Sequence, residues 1–201
     1  TTPTSTEEDS GEEGLQPAVS YLSFDETETL EVPNSQEIPV ALEQILNEDY
    51  QQETLNRIVI DDLEKEKRMT LGNFLDSFQV ETPEDFYSKV EEDFNLFLYS
   101  QEEGNRIGFI VKVKEKEELE QLFSSWEENL EEDFNNLFSV LGKEEPAIVP
   151  SFRGANYKGS AYRFQTYTRE DLGFCYRISE EFLVITSSSK QMEKIIDKIN
   201  E

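Results

Sequence analysis

Residues 94–123, FNLFLYSQEEGNRIGFIVKVKEKEELEQLF, run strand, turn, strand and acidic helix without a break. Residues 94–99 are apolar on both pleat faces apart from Asn95, the pattern of an interior strand. Gln101-Glu102-Glu103-Gly104-Asn105 supplies turn chemistry. Residues 106–114 then alternate, with Ile107, Phe109, Val111 and Val113 on one face and Lys112 and Lys114 on the other, so the two segments form a hairpin. The helix that follows places Leu119, Leu122, Phe123, Trp126, Leu130, Phe134, Leu137, Phe138 and Leu141 on one stripe, with Glu and Asp opposite, and Gly142 ends it. About 27 residues at 1.5 Å each predict a single helix of roughly 40 Å.

Residues 172–199 repeat the pattern: LGFCYRIS, a turn at Glu180, FLVITSS, then a helix opened by the capping box Ser188-x-x-Gln191 and carrying Met192, Ile195, Ile196 and Ile199. A duplicated ββα unit, with both helices on one face of an antiparallel sheet, accounts for the pair economically. Chance recurrence of a common hairpin-plus-helix pattern is the competing account. The fold class expected is α+β, an antiparallel sheet with helices packed mainly on one face and extra helices on the N-terminal side.

Working outward, strands are expected at about 147–152, 160–168, 172–178 and 181–187. Upstream, Val40, Leu42, Ile45 and Leu46 mark a helix, Arg57–Leu63 a β-branched strand, and Leu71, Phe74, Leu75 and Phe78 a second helix. Thr82, Pro83, Glu84 and Asp85 form a helix-start signal for a helix to about Val90. Residues 1–16, TTPTSTEEDSGEEGLQ, hold too little apolar surface to offset chain entropy and read as a disordered acidic linker. Residues 17–37 read as an extended docking segment, with Tyr21, Leu22, Phe24, Leu30 and Val32 as its apolar contacts, and 38–201 as one α+β domain.

The net charge is −27, and the first 56 residues carry fourteen Asp and Glu but no Lys or Arg. That field repels phosphates, so no nucleic-acid partner is expected, and binding to anionic lipid is disfavoured. The chain has no His, which removes the commonest general base and metal ligand. The lone Cys175 excludes an internal disulfide and a Cys-rich zinc site, and reads as a buried inert thiol. No apolar run of about 20 residues is present. The start at Thr1 and the base-free leader predict an anchor upstream of it, with membrane contact only through that anchor.

No GxGxxG, Walker, HExxH, GxSxG or EF-hand spacing occurs, so no cofactor, metal or catalytic residue is expected. The acidic clusters Glu91-Glu92-Asp93, Glu127-Glu128 and Glu131-Glu132-Asp133 read as solvated surface, and Ser187-x-x-Lys190 as a strand end and helix cap. One stretch departs from the rest. From Pro146 to Arg169 there is no acid, but there are Arg153, Lys158, Arg163 and Arg169, with Tyr157, Tyr162, Phe164 and Tyr167. Arg153, Tyr157, Lys158, Arg163, Tyr167 and Arg169 are therefore the candidate interaction surface. Arg163, Gln165 and Tyr167 are expected to point outward, Tyr162, Phe164 and Thr166 inward, and Lys158 to lie at a turn. The competing reading is that these bases pair with the chain's own acids.

Tyr157-Lys158-Gly159 followed by EFLVITSS and KQMEKIID, together with FIVKVK entering EKEELEQLFSSWEENL, resembles uncharacterised bacterial envelope proteins of unknown function over residues 38–199. That resemblance implies an N-terminal membrane segment, an extracytoplasmic α+β body and no known catalytic residues. The function expected is a non-enzymatic, membrane-anchored extracytoplasmic domain that binds a protein or envelope component. A carrier of an apolar small molecule, recognisable by a Phe-lined cavity, is one alternative. A carboxylate-dependent hydrolase, recognisable by paired acids with one raised carboxyl, is another.

Overall fold

The computed structural model describes residues 18–201, so the expected linker over 1–16 lies outside the described residues. Among these residues nine strands form one sheet: β1 (Glu26–Val32), β2 (Leu55–Asp62), β3 (Lys67–Arg68), β4 (Val90–Gln101), β5 (Gly104–Val113), β6 (Arg153–Tyr157), β7 (Ser160–Thr166), β8 (Gly173–Ile178) and β9 (Phe182–Thr186). Their order is β1-β2-β4-β5-β9-β8-β7-β6, with β3 a short flap on β2. All pairs are antiparallel except β1 with β2. The helices are α1 (Ile38–Leu46), α2 (Leu71–Ser77), α3 (Phe86–Lys89), α4 (Lys116–Trp126), α5 (Leu130–Asp133), α6 (Asn135–Val140) and α7 (Ser189–Ile199). The fold is α+β, with six of these helices on one face of the sheet.

That face is lined by Leu96, Leu98, Ile107, Phe109, Val111, Phe174, Tyr176, Leu183 and Ile185 from the strands. Phe74, Phe86, Leu119, Phe123, Trp126, Phe134 and Phe138 descend on them from the helices. Many rings in this layer meet edge to face, Phe134 on Phe174 and Phe123 on Trp126 among them, while Phe138 stacks on Phe174. The alternate residues Phe97, Ile110, Tyr162, Cys175 and Val184 face the other way, under Met192, Ile195 and Ile196 of α7.

The duplicated unit with both helices on one face is therefore corrected. Strand, turn, strand and helix do occur twice, as β4-β5-α4 and β8-β9-α7, and the two hairpins meet antiparallel at β5 and β9. A two-fold axis normal to the sheet would relate them and keep both helices on one face. The helices lie on opposite faces, so the two units have opposite hands and no rotation superposes them.

The single 40 Å helix is also corrected: the stripe is kept, but the chain turns at Glu127–Asn129 and again at Phe134. In a straight helix Trp126 and Asp133 would stand about 10 Å apart along the axis. Here the Trp126 indole N–H donates to Asp133 Oδ2 at 2.6 Å. The three pieces follow the twist of the sheet, which a straight rod would leave. Leu130 is fully buried, whereas Leu122 is only half-buried. Gly142 ends the run at φ 86° as expected.

The helix expected from Thr82 ends at Lys89, about where expected, because Val90 is already paired with Val113 in the sheet, but it begins only at Phe86 and has four residues. No strand forms over 147–152. Phe152 instead drops into the core, and the strand lies one step later, over the Gly- and Asn-containing β6.

Residues 18–25 cross the α7 face. Leu22 is buried, and the rings of Tyr21 and Phe24 lie against Phe182 and Phe97. Arg57 donates to the carbonyls of Ala18 and Val19, and Asn95 holds Val19 O and Tyr21 N at 2.7 Å each.

Candidate functional site

The acid-free stretch becomes the last hairpin of the sheet. Tyr157 pairs with Ser160 across a two-residue turn, and Lys158 (φ 49°) and Gly159 (φ 86°) both take the left-handed conformation that such a turn requires. Asn156 Oδ1 accepts from Gly159 N at 3.0 Å and fixes the tip. Lys158 thus lies at a turn, as expected.

The six candidate residues do not form one surface. β7 has seven residues and spans roughly 20 Å. Tyr157 and Lys158 sit at one end of it and Tyr167 and Arg169 at the other. At the tip, Tyr157 Oη donates to Asp197 Oδ2 (3.1 Å) and Lys158 Nζ pairs with Asp197 Oδ1 (2.7 Å), which locks the tip to α7. At the far end Tyr167 is buried at 3% exposure beneath Phe138, and Arg169 donates to Leu141 O at the end of α6 (2.7 Å). Arg153 lies exposed in β6, its guanidinium 4.7 Å from the Phe164 ring centroid and 3.1 Å from Thr166 Oγ1.

The expected orientation along β7 is corrected for the outward set, while Tyr162 is buried in a core as expected. Arg163, Gln165 and Tyr167 point into the helix layer, and Tyr162 and Phe164 toward the α7 side. The reason is that both faces of the sheet are covered, so neither set is an outer surface. Arg163 makes a bidentate pair with Glu127 at the end of α4, Nε and Nη2 each at 2.7 Å, and Tyr176 Oη donates to the same carboxylate at 2.6 Å. Burial opposes the charge on Glu127, but the Arg163 and Tyr176 hydrogen bonds outweigh it and hold the carboxyl below its usual range. The acidic clusters are accordingly not all solvated surface. Glu127 clamps β7, Glu131 accepts from Ala147 N (2.7 Å) and Lys143 (3.1 Å), and Asp133 holds Trp126.

Pairing between β7 and β8 stops at Arg163 with Tyr176. Beyond it the strands splay, and a cleft of about 380 Å³ opens beside α4, lined by Ser124, Gly154, Ala161, Arg163, Tyr176 and Ile178 among others. Nothing in the sequence announced this cleft, because it arises where two strands part. Arg177 in β8 also escaped notice. It makes no ion pair among the described residues, its Nη1 is buried without a hydrogen-bond partner, and burial lowers its pKa.

The remaining motifs are structural. Ser187 Oγ donates to Ile107 O (2.7 Å) and accepts from Ile107 N (3.0 Å), while Lys190 pairs with Glu103, so the two do not meet as nucleophile and base. Ser188 caps α7 through Gln191 N and donates to Gln101 Oε1. Burial pushes the Cys175 thiol up to about 12, far from a reactive thiolate. Glu193 is pushed up by burial first and by Asp171 and Asp197 next, but it does not line the cleft beside α4. Among the described residues no group of Cys, Asp and Glu stands close enough to hold a metal, and no helix is long and apolar enough to cross a membrane. Compared with known protein families, curated proteins and solved structures, the chain gives no match.

Proposed function

We propose that the chain is a non-enzymatic interaction domain, tethered outside the cytoplasm of a bacterial cell, that binds a protein or envelope component through the β6 end of its sheet. The carrying observation is the edge itself. β6 is the terminal strand, no described strand other than β7 pairs with it, and neither it nor the turn beyond it carries an acid in a chain of net charge −27. The base-free first 56 residues and the resemblance to envelope proteins support the location. Two acids, Glu120 and Glu127, line the cleft, but the hydrolase reading needs a raised carboxyl, and Glu127 is held ionised by Arg163 and Tyr176. The carrier reading lacks a Phe-lined cavity there, because Phe123, Phe134, Phe138 and Phe174 fill the helix-side core against one another.

The test is photo-cross-linking in intact cells, with the reactive side chain at Asn156 on β6 and, as a control, at Thr27 on β1. A discrete adduct from Asn156 alone, made from outside the cytoplasm, is expected. Adducts from Thr27 alone, or from neither position, would sink the reading.

A further inference from the structure

Resting on that reading, we propose that β6 binds an extended, acid-bearing peptide segment of a partner protein as an added strand. The register dictates which backbone groups are available. A two-residue turn makes Tyr157 with Ser160 a hydrogen-bonded pair, and hydrogen-bonded pairs alternate along an antiparallel ladder. Arg153, Ala155 and Tyr157 therefore use their N–H and C=O groups on β7. Gly154 and Asn156 direct theirs away from it, at a sheet edge that no described strand occupies and of the kind that templates strand addition.

Gly154 is the second observation. Its φ is outside the left-handed region, and a Cβ built on it meets nothing within 4 Å among the described residues. The fold does not require glycine there, and glycine weakens a strand. Its absent side chain instead leaves a notch at the rim of the cleft beside α4, level with Arg163 across the hairpin and one same-face position from Ala161. A visiting strand can lie close against Gly154 and pass a small apolar side chain over it into the cleft that Ala161, Arg163 and Ile178 line. On the other face of the same edge stand Arg153 and Tyr157, with Lys158 beside them. Arg153 has no carboxylate partner among the described residues, so a carboxylate of the visitor would meet it, and a second, at an alternate position, would share Lys158 with Asp197.

The opposite edge of the sheet sharpens the choice of occupant. β1 reads ETETLEV and alternates acid and neutral residues in its first half, with Glu26 and Glu28 on one pleat face and Glu31 on the other. A second copy could in principle offer it, but two bodies of net charge −27 repel, which favours a segment borne by a different partner.

The probe is a fluorescent, end-blocked peptide of alternating Glu and Val, read by anisotropy against the whole chain. Saturable binding is expected, weakened by salt, and absent for the Lys/Val peptide. Gly154→Pro removes one outward N–H and leaves the β7 pairing intact; it should weaken binding roughly tenfold or more, as should N-methylation of alternate peptide amides. Gly154→Val fills open space and should fold normally while blocking the notch. Peptide binding that ignores both Gly154 variants and N-methylation would overturn strand addition and leave the interaction reading standing. No peptide binding, alongside an Asn156 adduct in cells, would overturn the acidic partner alone. Concentration-dependent self-association abolished by Gly154→Pro would overturn the choice of a different partner in favour of a second copy.

Discussion

The two strand–strand–helix units share one sequence pattern and end on opposite sides of the sheet. In the first, β5 leads into α4, which joins a layer of six helices and a dense set of rings. In the second, β9 leads into α7, which among the described residues shares the other face with the strap of residues 18–25. Each helix also carries a carboxylate that grips the last hairpin, Glu127 from one side and Asp197 from the other. Local pattern specifies a unit, whereas the face its helix takes depends on which apolar surface other elements have left bare.

The comparison breaks most visibly at the cores. Phe123→Ala in the α4 layer should cost about 3–5 kcal/mol, and Ile195→Ala under α7 about 2–5 kcal/mol, because both side chains are fully buried. Urea unfolding measures both. A loss below about 0.5 kcal/mol for Ile195→Ala would mean that α7 rests on the sheet without sealing a second core.

A smaller effect tests the strap. A chain beginning at Glu26 loses the burial of Leu22 and the two carbonyls that receive Arg57, and should lose about 2–4 kcal/mol. An unchanged melting temperature would show that the α7 face is complete without the strap.

Ser188→Ala removes the α7 cap and the bond to Gln101, for a cost of about 0.5–2 kcal/mol. α4 has no side-chain cap, so Glu115→Ala should leave stability almost unchanged. Equal losses in the two variants would erase this difference between the units.

The smallest expected effect separates the two grips by pH. The Glu127 carboxyl is depressed in the folded chain, so its contribution is complete above the ordinary Glu value, about 4.3, and is lost as pH falls through the lower folded value. Glu127→Gln should therefore melt below the wild type at neutral pH and converge with it on acidification. Lys158→Ala, at an exposed pair, should show no comparable separation at any pH. A constant gap for Glu127→Gln down to pH 2 would mean that packing, rather than charge, holds α4 to β7.

Much of this was legible in the chain. Alternation gave β5, three-to-four spacing gave the helices, and Ser188-x-x-Gln191 marked the start of α7. The face of α7 was not legible, and the repeat pointed to the wrong one. FLVIT is apolar on both pleat faces, which demands cover on both sides of β9 without saying which element supplies it. β6 was not legible, because RGANY has poor strand propensity and becomes a strand through pairing with β7. Of the candidate site, the hairpin tip was readable from Lys158-Gly159. The burial of Tyr167 and the Arg163–Glu127 pair were not, since they depend on residues far apart in sequence.

The sequence by itself determined the element types, most of their limits, the acidic field and the acid-free stretch, because propensity, periodicity and charge are local or additive properties. Tertiary structure alone decided the strand order, the opposite hands of the two ββα units, the breaks in the long helix and the sheet edge at Gly154. Each of these follows from competition between distant segments for the same apolar surface and the same backbone partners, and that competition is settled only when the whole sheet is assembled.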